Sequence, residues 1–539
     1  MAKMVMMSTF FFKFIFIFWY RFFFKPLKSL RRSVSNITYA THQFKYQRYH
    51  SLLHRNSDLN DHTLIFDVEG ALLKSSSVFP FFMLVAFEAG GLLRAIVLLL
   101  VYPFVCLVGD EMGLKMMVMI CFFGIKEESF RVGRTVLPKF LLEDVGSEMY
   151  EVVKRGGKKV GLSKLPRVMV ESFLKEYLEI NFVVGRELKV FNGFYVGLME
   201  ERKTVHANLE LVREGKGNSS DMIGISGFHK DLDHSFFSTC KEVYMVTEAE
   251  KKNWKNLARD KYPKPLIFHD GRLALKPTPL MTLAMLIWLP CGFILALIRI
   301  TTALSLPYNI STPLLEFTGL RLTISRPKTT NKEDKFLLKG RLYACNHRTL
   351  LDPLYLSFTL SRDLVAVTYS LSRMSEILAP IKTVRLTRNR DEDAKTMKSL
   401  LKHGDLVVCP EGTTCREPYL LRFSPLFSEL CVEIIPVAID CHVTMFHGTT
   451  AGGLKCLDPF FFLMNPTPSY SVQLLEKVSP SITASNVING DYAGFAVANH
   501  VQTQIGKALG FECTQLNRKD KYLILAGNEG IVSTTKSGK

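Results

Sequence analysis

Residues 342–353 read LYACNHRTLLDP, an apolar run followed by a polar turn and an Asp-Pro pair. The run LYAC indicates a strand. Asp-Pro is typical of the beginning of a helix, which predicts Asp352 at the N-cap and Pro353 at the first helical position. A strand that passes directly into a helix is a building unit of α/β folds. His347 would then lie in the turn between the two elements, where its ring can reach the Asp352 carboxylate.

The pair formed by His347 and Asp352 predicts acid–base chemistry. A carboxylate beside one imidazole nitrogen fixes the tautomer, leaves the other nitrogen free to accept a proton and stabilises the resulting imidazolium. We therefore interpret His347 as a general base and Asp352 as its orienting partner. No serine or cysteine stands in a nucleophile-elbow context, which favours direct attack by a substrate hydroxyl without a covalent enzyme intermediate. Taken alone, such a pair is more often a turn histidine beside a helix cap.

Two later strand ends carry polar residues of a second kind. VRLTRNR and CPEGTTCREP each continue an apolar strand, and strand ends are where α/β sheets bind ligands. An arginine fork suits a phosphate, and a Gly-Thr-Thr turn offers N–H groups and hydroxyls to an anion or a hydroxyl-rich substrate. The alternative is a solvated basic face with a turn glycine. The predicted binding residues are Arg388, Glu411, Gly412, Thr413 and Arg416.

Together these segments resemble the motifs of the glycerolipid acyltransferases. NHRTLLD is similar to their N-H-x-x-x-x-D motif, VRLTR to a block ending in arginine, PEGTTCREP to their E-G-T-x-x-R block and IIPVAID to a fourth, proline-containing block. VRLTR lacks the glycine and phenylalanine often found in the second block. The resemblance implies acyl transfer from acyl-CoA to a hydroxyl of glycerol 3-phosphate, with His347 as base, Asp352 as its partner and the five binding residues around the acceptor.

The earlier segment HTLIFDVEGALL resembles the D-x-D-G-T motif of haloacid dehalogenase-like phosphatases. In that family the first aspartate, here Asp67, attacks phosphorus, and the second, replaced here by Glu69, acts as acid/base. The extra methylene can misplace the proton donor by about an ångström, which costs on the order of a hundredfold in rate. Ser163 stands for the phosphate-binding Ser/Thr, and Ser226 with Gly227 stands where a magnesium-binding Gly-Asp pair belongs. We predict a phosphatase-like fold without phosphatase chemistry and without a Mg²⁺ cofactor.

The order of the two resemblances is similar to that of the land-plant glycerol-3-phosphate acyltransferases involved in cutin, suberin and related lipid polyesters. RVGRTVLPKFLLEDVG, YPKPLIFHDGRLALKPTPL and KYLILAGN also look like that family. The resemblance implies acylation at sn-2 and, with a degenerate phosphatase motif, lysophosphatidic acid as the product. The alternatives are a bifunctional enzyme that releases 2-monoacylglycerol and a non-catalytic membrane scaffold.

The predicted fold class is α/β: a haloacid dehalogenase-like Rossmannoid domain followed by an α/β glycerolipid acyltransferase domain, with membrane-associated helices. The predicted segments are a basic, Phe-rich membrane anchor or targeting arm (1–57), the phosphatase-like domain (58–250), a linker with a transmembrane segment (251–310), the acyltransferase domain (311–525) and a tail (526–539).

Composition favours contact with a membrane. Apolar residues make up 47% of the chain, and 68 Lys and Arg face 50 Asp and Glu, with much of the excess before the first acidic residue, Asp58. The N-terminal arm is too apolar for a nucleic-acid-binding segment, so we expect anionic lipids and no nucleic acid as partners.

The uncharged stretch 280–298, flanked by Lys276 and Arg299, predicts a membrane span. The stretch 83–109 contains two charges and is either a span, or a buried helix or re-entrant segment.

The subcellular compartment is predicted from the N-terminal anchor, the family resemblance and the cysteines. The uncleaved basic anchor and the family resemblance favour the endoplasmic reticulum, with a mitochondrial membrane as the alternative. Eleven cysteines occur without a C-x-x-C pair or zinc spacing, which indicates neither a metal site nor a disulfide framework. The catalytic parts should therefore face a reducing compartment such as the cytosol.

Overall fold

Two α/β sheets organise the part of the chain that is described by the computed structural model: residues 46–49, 52, 59–200, 222–227, 237, 240–327, 340–369, 376, 379–430, 432–479 and 490–526. The predicted N-terminal anchor lies outside these residues apart from 46–49 and 52, and the predicted tail lies outside them apart from Ala526. The described residues, from Tyr46 onward, belong to one compact unit.

The strands, in chain order, are β1 (Tyr46–Arg48), β2 (Thr63–Asp67), β3 (Lys158–Pro166), β4 (Phe182–Arg186), β5 (Leu188–Phe191), β6 (Phe194–Met199), β7 (Met222–Gly227), β8 (Glu242–Val246), β9 (Arg321–Ser325), β10 (Leu342–Cys345), β11 (Leu364–Thr368), β12 (Lys382–Arg385), β13 (Asp405–Val408), β14 (Tyr419–Leu420), β15 (Ile434–His442), β16 (Ser469–Leu474) and β17 (Glu512–Cys513).

The α-helices are α1 (Phe79–Gly90), α2 (Leu92–Leu107), α3 (Asp110–Phe122), α4 (Val132–Thr135), α5 (Leu137–Leu142), α6 (Ser147–Arg155), α7 (Arg167–Ser172), α8 (Glu248–Asn253), α9 (Pro279–Ser305), α10 (Tyr308–Phe317), α11 (Asp352–Leu360), α12 (Arg390–His403), α13 (Asp458–Leu463), α14 (Gly490–Leu509) and α15 (Arg518–Ala526).

The first sheet is wholly parallel and has the strand order β1-β8-β7-β2-β3-β4. Leu64, Ile65 and Phe66 of β2 are buried, as expected for a parallel strand covered on both faces. The chain runs from β2 to β3 on one side and returns to β7 on the other, so the sheet reverses its strand order at β2. Asp67 lies at the carboxyl end of that strand, where such sheets bind ligands.

The second sheet has the order β12-β11-β13-β10-β15-β16-β9 and is parallel except for the antiparallel pair of β15 and β16. All four residues of β10, LYAC, are buried at its centre. The carboxyl end of β10 therefore opens between the ends of β13 and β15. This topology confirms the predicted α/β class and places the turn that contains His347 at the middle of the sheet's ligand-binding edge.

The apolar stretch 83–109 is not one helix. Gly91, with a φ of 81°, separates α1 from α2. α1 has 12 residues and is buried over most of its length, and α2 has 16 residues and exposes Leu93 and Leu107 on one face. Of the interpretations left open by the sequence, a buried helix describes α1, and neither helix has the length of a span.

Helix α9 is the one helix among the described residues that is long and apolar enough to cross a membrane, judged by length and composition. Thr278 caps its N-terminus by accepting a hydrogen bond from the N–H of Met281. Gly292 and Ala296 lie on a stripe that packs against the second domain, where a Cβ at Gly292 would meet the Met464 carbonyl oxygen at 3.0 Å. The opposite faces of α9 are apolar and exposed.

Arg299 corrects one detail of the sequence interpretation, since it is not a charge flanking the helix. α9 continues to Ser305, and Arg299 lies fully buried inside it. Its guanidinium donates to the carbonyl oxygens of Leu463 and Asn465 at 2.7 Å and of Thr318 at 2.6 Å. A planar fork with several donors can satisfy carbonyls from two separate loops at once, which explains why a cation is tolerated there.

Replacing Arg299 by Met should destabilise the fold by about 3 kcal/mol, because several buried carbonyl oxygens lose their donors. Thermal unfolding of the detergent-solubilised protein measures this as a lowered Tm. Arg321→Met, at an exposed position of β9, is the matched control and should leave the Tm close to that of the wild type. Equal Tm values for the two variants would contradict a stabilising role for the Arg299 contacts.

Candidate active site

A mainly apolar cavity of about 400 Å³ opens beside the carboxyl ends of β10, β11 and β13. The last turns of α9 contribute Ile300 and Leu304 to its wall. His347, Gly412 and Thr413, three of the residues predicted from the sequence, line the same cavity. A concave apolar space with a few convergent polar groups is the usual form of a small-molecule site.

The Asp352 carboxylate organises the turn that carries His347. It is fully buried and accepts a hydrogen bond from Nδ1 of His347 at 2.9 Å. It also accepts the backbone N–H groups of Arg348 at 2.6 Å and Thr349 at 2.9 Å, and the Tyr470 hydroxyl at 3.0 Å. With Nδ1 held by the carboxylate, Nε2 is the nitrogen left to exchange a proton with a substrate.

The cap role predicted for Asp352 differs from the observed one. Leu351 is the N-cap of α11, and Asp352 is its first helical residue. The carboxylate turns back toward the preceding loop and accepts N–H groups from residues 348 and 349, so it stabilises the turn rather than the helix that follows. Because the Asp352 carboxylate points back toward the turn, it can bond to the His347 ring although the two residues are five positions apart.

The proton affinity of His347 is set by its neighbours. Burial opposes the charged form, but the hydrogen bond to the Asp352 carboxylate and its negative charge hold the pKa of His347 well above its usual range. The contact with Cys345 and burial raise the pKa of the Cys409 thiol well above its usual range. Cys409 lines the cavity as a neutral thiol beside the imidazole.

Glu411 lies beneath the cavity rather than in its wall. Its carboxylate accepts the backbone N–H of His347 at 2.7 Å and that of Leu421 at 3.0 Å, and burial raises its pKa to about 7. Glu411, which the sequence predicts beside the acceptor, instead connects the turn that contains His347 to the segment that contains Leu421. Gly412, with a φ of 64°, and Thr413 follow it into the cavity wall.

The two predicted arginines do not line the cavity. Arg388 is exposed in the turn after β12, and its backbone N–H donates to Asp393 at 2.9 Å. Arg416 is turned toward the linker, where its guanidinium donates to the Gly271 carbonyl oxygen at 2.9 Å and the Thr449 hydroxyl at 3.0 Å. A buried guanidinium needs such partners, which explains its direction. The substrate-binding roles of both arginines remain predictions that this geometry does not support.

Other cavity residues carried little signal in the sequence. Lys455 begins a short 3-10 helix of the second domain (Lys455–Leu457), and Arg518 and Tyr522 lie on α15; all three line the cavity. Cys409 precedes the Pro-Glu-Gly turn without any nucleophile motif around it. Only the basic run NRKDKY, which contains Arg518, could have marked this wall, because clustered charge in a chain suggests an anion partner.

The phosphatase-like site is occupied by one of its own side chains. The Glu69 carboxylate accepts hydrogen bonds from the Ser163 hydroxyl and, at 3.0 Å, from the N–H of Lys164. Ser163 is the residue that the resemblance assigns to phosphate binding. Burial and the nearby Asp67 charge raise the pKa of Glu69 to about 7. A carboxyl group thus fills the anion-binding position.

The same site does not fit a magnesium ion. One Asp67 oxygen accepts the N–H of Gly70 at 2.9 Å, and Glu69 is turned toward Ser163. Gly227 closes on Gly70 so tightly that a Cβ at 227 would lie 2.6 Å from the Gly70 carbonyl oxygen. Mg²⁺ is usually held by one or two carboxylates and several waters, and here the Glu69 carboxylate is already bonded to Ser163 and Lys164.

The first domain is connected to the wall of the second domain's cavity through the linker. Glu88 of α1 accepts the backbone N–H of Arg272 at 2.6 Å and that of Leu273 at 2.9 Å. The Arg272 side chain donates to Asp458 at 2.8 Å, and Asp458 lines the cavity. The linker is therefore fixed between a helix of the first domain and the wall of the second.

Fold and site together define an acyltransferase with an N-H-x-x-x-x-D active-site turn, joined to a phosphatase-like domain. Residues 63–246 match the family model described as glycerol-3-phosphate acyltransferase RAM2-like, HAD-like domain, and residues 326–440 match the acyltransferase model. The chain belongs to the plant glycerol-3-phosphate acyltransferase family.

Membership rests on long alignments with curated relatives. The chain is 57% identical over 495 residues to probable glycerol-3-phosphate acyltransferase 2 of Arabidopsis thaliana, which covers 90% of this chain and 93% of the relative. It is 48% identical over 510 residues to glycerol-3-phosphate acyltransferase 1 of Arabidopsis thaliana, covering 90% and 86%. It is 42% identical over 479 residues to glycerol-3-phosphate acyltransferase RAM2 of Petunia hybrida, covering 87% and 98%.

Solved structures resemble each part only distantly. The 1-acyl-sn-glycerophosphate acyltransferase PlsC of Thermotoga maritima is 13% identical with a TM-score of 0.28, covering 42% of this chain and 97% of that chain. A substrate-bound phosphoserine phosphatase is 14% identical with a TM-score of 0.24, covering 34% and 85%. Likenesses at this level assign no residue a role.

The rate of acyl transfer should depend on the neutral form of His347. Because its pKa lies well above 6.5, kcat/KM should fall as the pH is lowered through that raised value, so full activity is expected only on its alkaline side. Asp352→Asn removes the charge that favours the imidazolium. The midpoint should then move to lower pH, and kcat should fall by about 10²- to 10⁴-fold.

The pH profile of kcat/KM measures both effects. Asp440→Asn is the control, because Asp440 pairs with Arg348 at 3.1 Å and is not bonded to the His347 ring. It should leave the midpoint unchanged. A midpoint that stays in place in Asp352→Asn would rule out this carboxylate as the partner that sets the proton affinity of His347.

Proposed function

We propose that the protein transfers an acyl group from acyl-CoA to the sn-2 hydroxyl of glycerol 3-phosphate and forms lysophosphatidic acid. The observation that carries this proposal is the His347 and Asp352 pair at the polar end of an apolar cavity of about 400 Å³. The relatives named glycerol-3-phosphate acyltransferase support the choice of acceptor. The thioester donor and the sn-2 position come from the family resemblance.

Direct transfer needs only one proton shuttle. Nε2 of His347 takes the proton of the acceptor hydroxyl as its oxygen attacks the thioester carbonyl carbon, and Asp352 stabilises the imidazolium. When the tetrahedral intermediate collapses, the carbon–sulfur bond breaks and the imidazolium returns the proton to the leaving sulfur. Cys409 takes no part, because its high thiol pKa leaves little thiolate to compete with the hydroxyl.

The acyl chain is expected in the apolar part of the cavity, next to α9. Ile300, Ala303 and Leu304 line that part, and the outer faces of the same helix expose Ile287 and Ile294. An exposed apolar surface that adjoins a lipid-substrate cavity supports attachment to a membrane.

We assign the protein to the endoplasmic reticulum membrane. An intact fusion that localises to mitochondria would contradict that assignment.

The first domain is proposed to have no phosphatase activity and no Mg²⁺ cofactor. Glu69 occupies the donors of Ser163 and Lys164, so a phosphate would have to displace a buried side chain to reach Asp67. The product would then keep its phosphate and supply cutin- or suberin-type polyester synthesis only after removal of that group by another enzyme. A bifunctional enzyme that releases 2-monoacylglycerol is the second candidate.

Membranes from a host without this activity, supplied with labelled glycerol 3-phosphate and acyl-CoA, should form lysophosphatidic acid acylated at sn-2. His347→Ala should lower the rate by about 10²- to 10⁴-fold, because the general base is lost. Asp67→Asn should change neither the rate nor the product. Chromatography that separates products by phosphate and by acyl position measures all three.

His403→Ala is the matched control, since His403 is exposed on α12 and bonds only to the Ser399 carbonyl oxygen of its own helix. It should behave as the wild type. Monoacylglycerol as the main wild-type product, lost in Asp67→Asn, would establish the bifunctional candidate instead. Failure to form any acylated product with common acyl donors would contradict the proposed function itself.

A further inference from the structure

Two cations gather around one aromatic ring in the cavity wall. Lys455 Nζ lies 4.7 Å from the centre of the Tyr522 ring, and Arg518 Cζ lies 5.5 Å from it. Lys455 also donates a hydrogen bond to the Tyr522 hydroxyl. All three side chains line the cavity that contains His347. The ring orients both cations within one small volume.

Neither cation is neutralised by a carboxylate among the described residues. Asp458, which shares this wall, is paired with Arg272 at 2.8 Å. Asp520, two positions after Arg518, accepts the backbone N–H of Asn517 at 2.8 Å. The ion pairs of the described residues, with N–O distances up to 4.0 Å, include neither Lys455 nor Arg518. Adjacent like charges without a counterion repel each other unless an anion is bound between them.

The positive wall continues to the Gly-Thr-Thr turn. Lys521, one helix position before Tyr522, is buried and donates to the Thr414 carbonyl oxygen at 2.5 Å and the Thr414 hydroxyl at 3.1 Å. Burial lowers its pKa to about 8, and the charge of Lys455 acts in the same direction. The positive charge of Lys455 in the cavity wall therefore acts on Lys521, which is buried behind that wall.

We propose that Lys455, Arg518 and the Tyr522 hydroxyl form the phosphate-binding subsite of this cavity. The proposal rests on the proposed function and takes over the task that sequence motifs assign to Arg388 and Arg416. An arginine fork can bind two phosphate oxygens, and the hydroxyl, whose oxygen accepts from Lys455, can donate its proton to a third. The ligand is a phosphate ester, either of glycerol 3-phosphate or of CoA.

The test compares Arg518→Gln, Lys455→Gln and the double variant with the full-length wild type. At saturating concentrations of the other substrate, one KM should rise by about tenfold or more in each single variant, because a charge-assisted contact is lost. A rise in the KM of glycerol 3-phosphate assigns the acceptor phosphate to the subsite, and a rise in that of acyl-CoA assigns the nucleotide phosphates. kcat should change much less than the affected KM.

Two further variants separate binding from folding. Arg518→Lys keeps the charge without the fork and should recover part of the lost affinity, which a purely structural role of Arg518 would not produce. Lys519→Gln, an exposed neighbour on the same helix, is the control for lost positive charge and should keep both KM values. Unchanged KM values in the double variant, or equal rises of both in Lys519→Gln, would overturn the proposal.

A binding measurement distinguishes failure of this inference from failure of the proposed function. The Tm of the detergent-solubilised wild type is measured with glycerol 3-phosphate alone and with CoA alone, and the same is done for the double variant. A Tm increase that occurs in the wild type and is lost in the variant supports the subsite even if no acyl transfer is found. No increase with either ligand, or an equal increase in both proteins, overturns it.

Discussion

The buried Asp352 carboxylate is the constraint on which the acyltransferase site depends. It binds the imidazole of His347, two backbone N–H groups of the intervening turn and the hydroxyl of Tyr470 on β16. Tyr470 in turn stacks on Tyr355 of α11, with ring centres 3.8 Å apart. One buried carboxyl side chain thus joins the central strand, the helix after it and the antiparallel strand of the second sheet, and burial of such a group without hydrogen-bond partners would be costly.

The phosphatase-like domain is connected by hydrogen bonds to the acyltransferase cavity. Its own anion-binding position is filled by the Glu69 carboxylate. Glu88 of α1 fixes the linker, and linker residue Arg272 fixes Asp458 in the cavity wall. A second connection joins the linker to the second domain through Glu417, whose carboxylate pairs with the linker residues His269 at 2.9 Å and Arg259 at 2.6 Å. These contacts hold the first domain and the linker against the catalytic motifs.

The sequence predicted the two α/β domains, the His347 and Asp352 pair and the cavity positions of Gly412 and Thr413, because each of these depends on residues close together in the chain. It did not predict where Arg416 points, since the partners of its guanidinium include Gly271, far away in the chain. Arg299 looked like a flanking charge because nothing local reveals the carbonyls of Leu463 and Asn465. Lys455 and Arg518 converge only through folding.

The most direct test of the account is the order of the chemical steps. Initial rates measured over a grid of both substrate concentrations should give intersecting double-reciprocal lines, and Cys409→Ala should keep most of the wild-type rate, because the acceptor hydroxyl attacks the thioester directly with His347 as base. Parallel lines, together with a labelled acyl group found on the wild-type protein and absent from Cys409→Ala, would show a covalent intermediate and contradict the account.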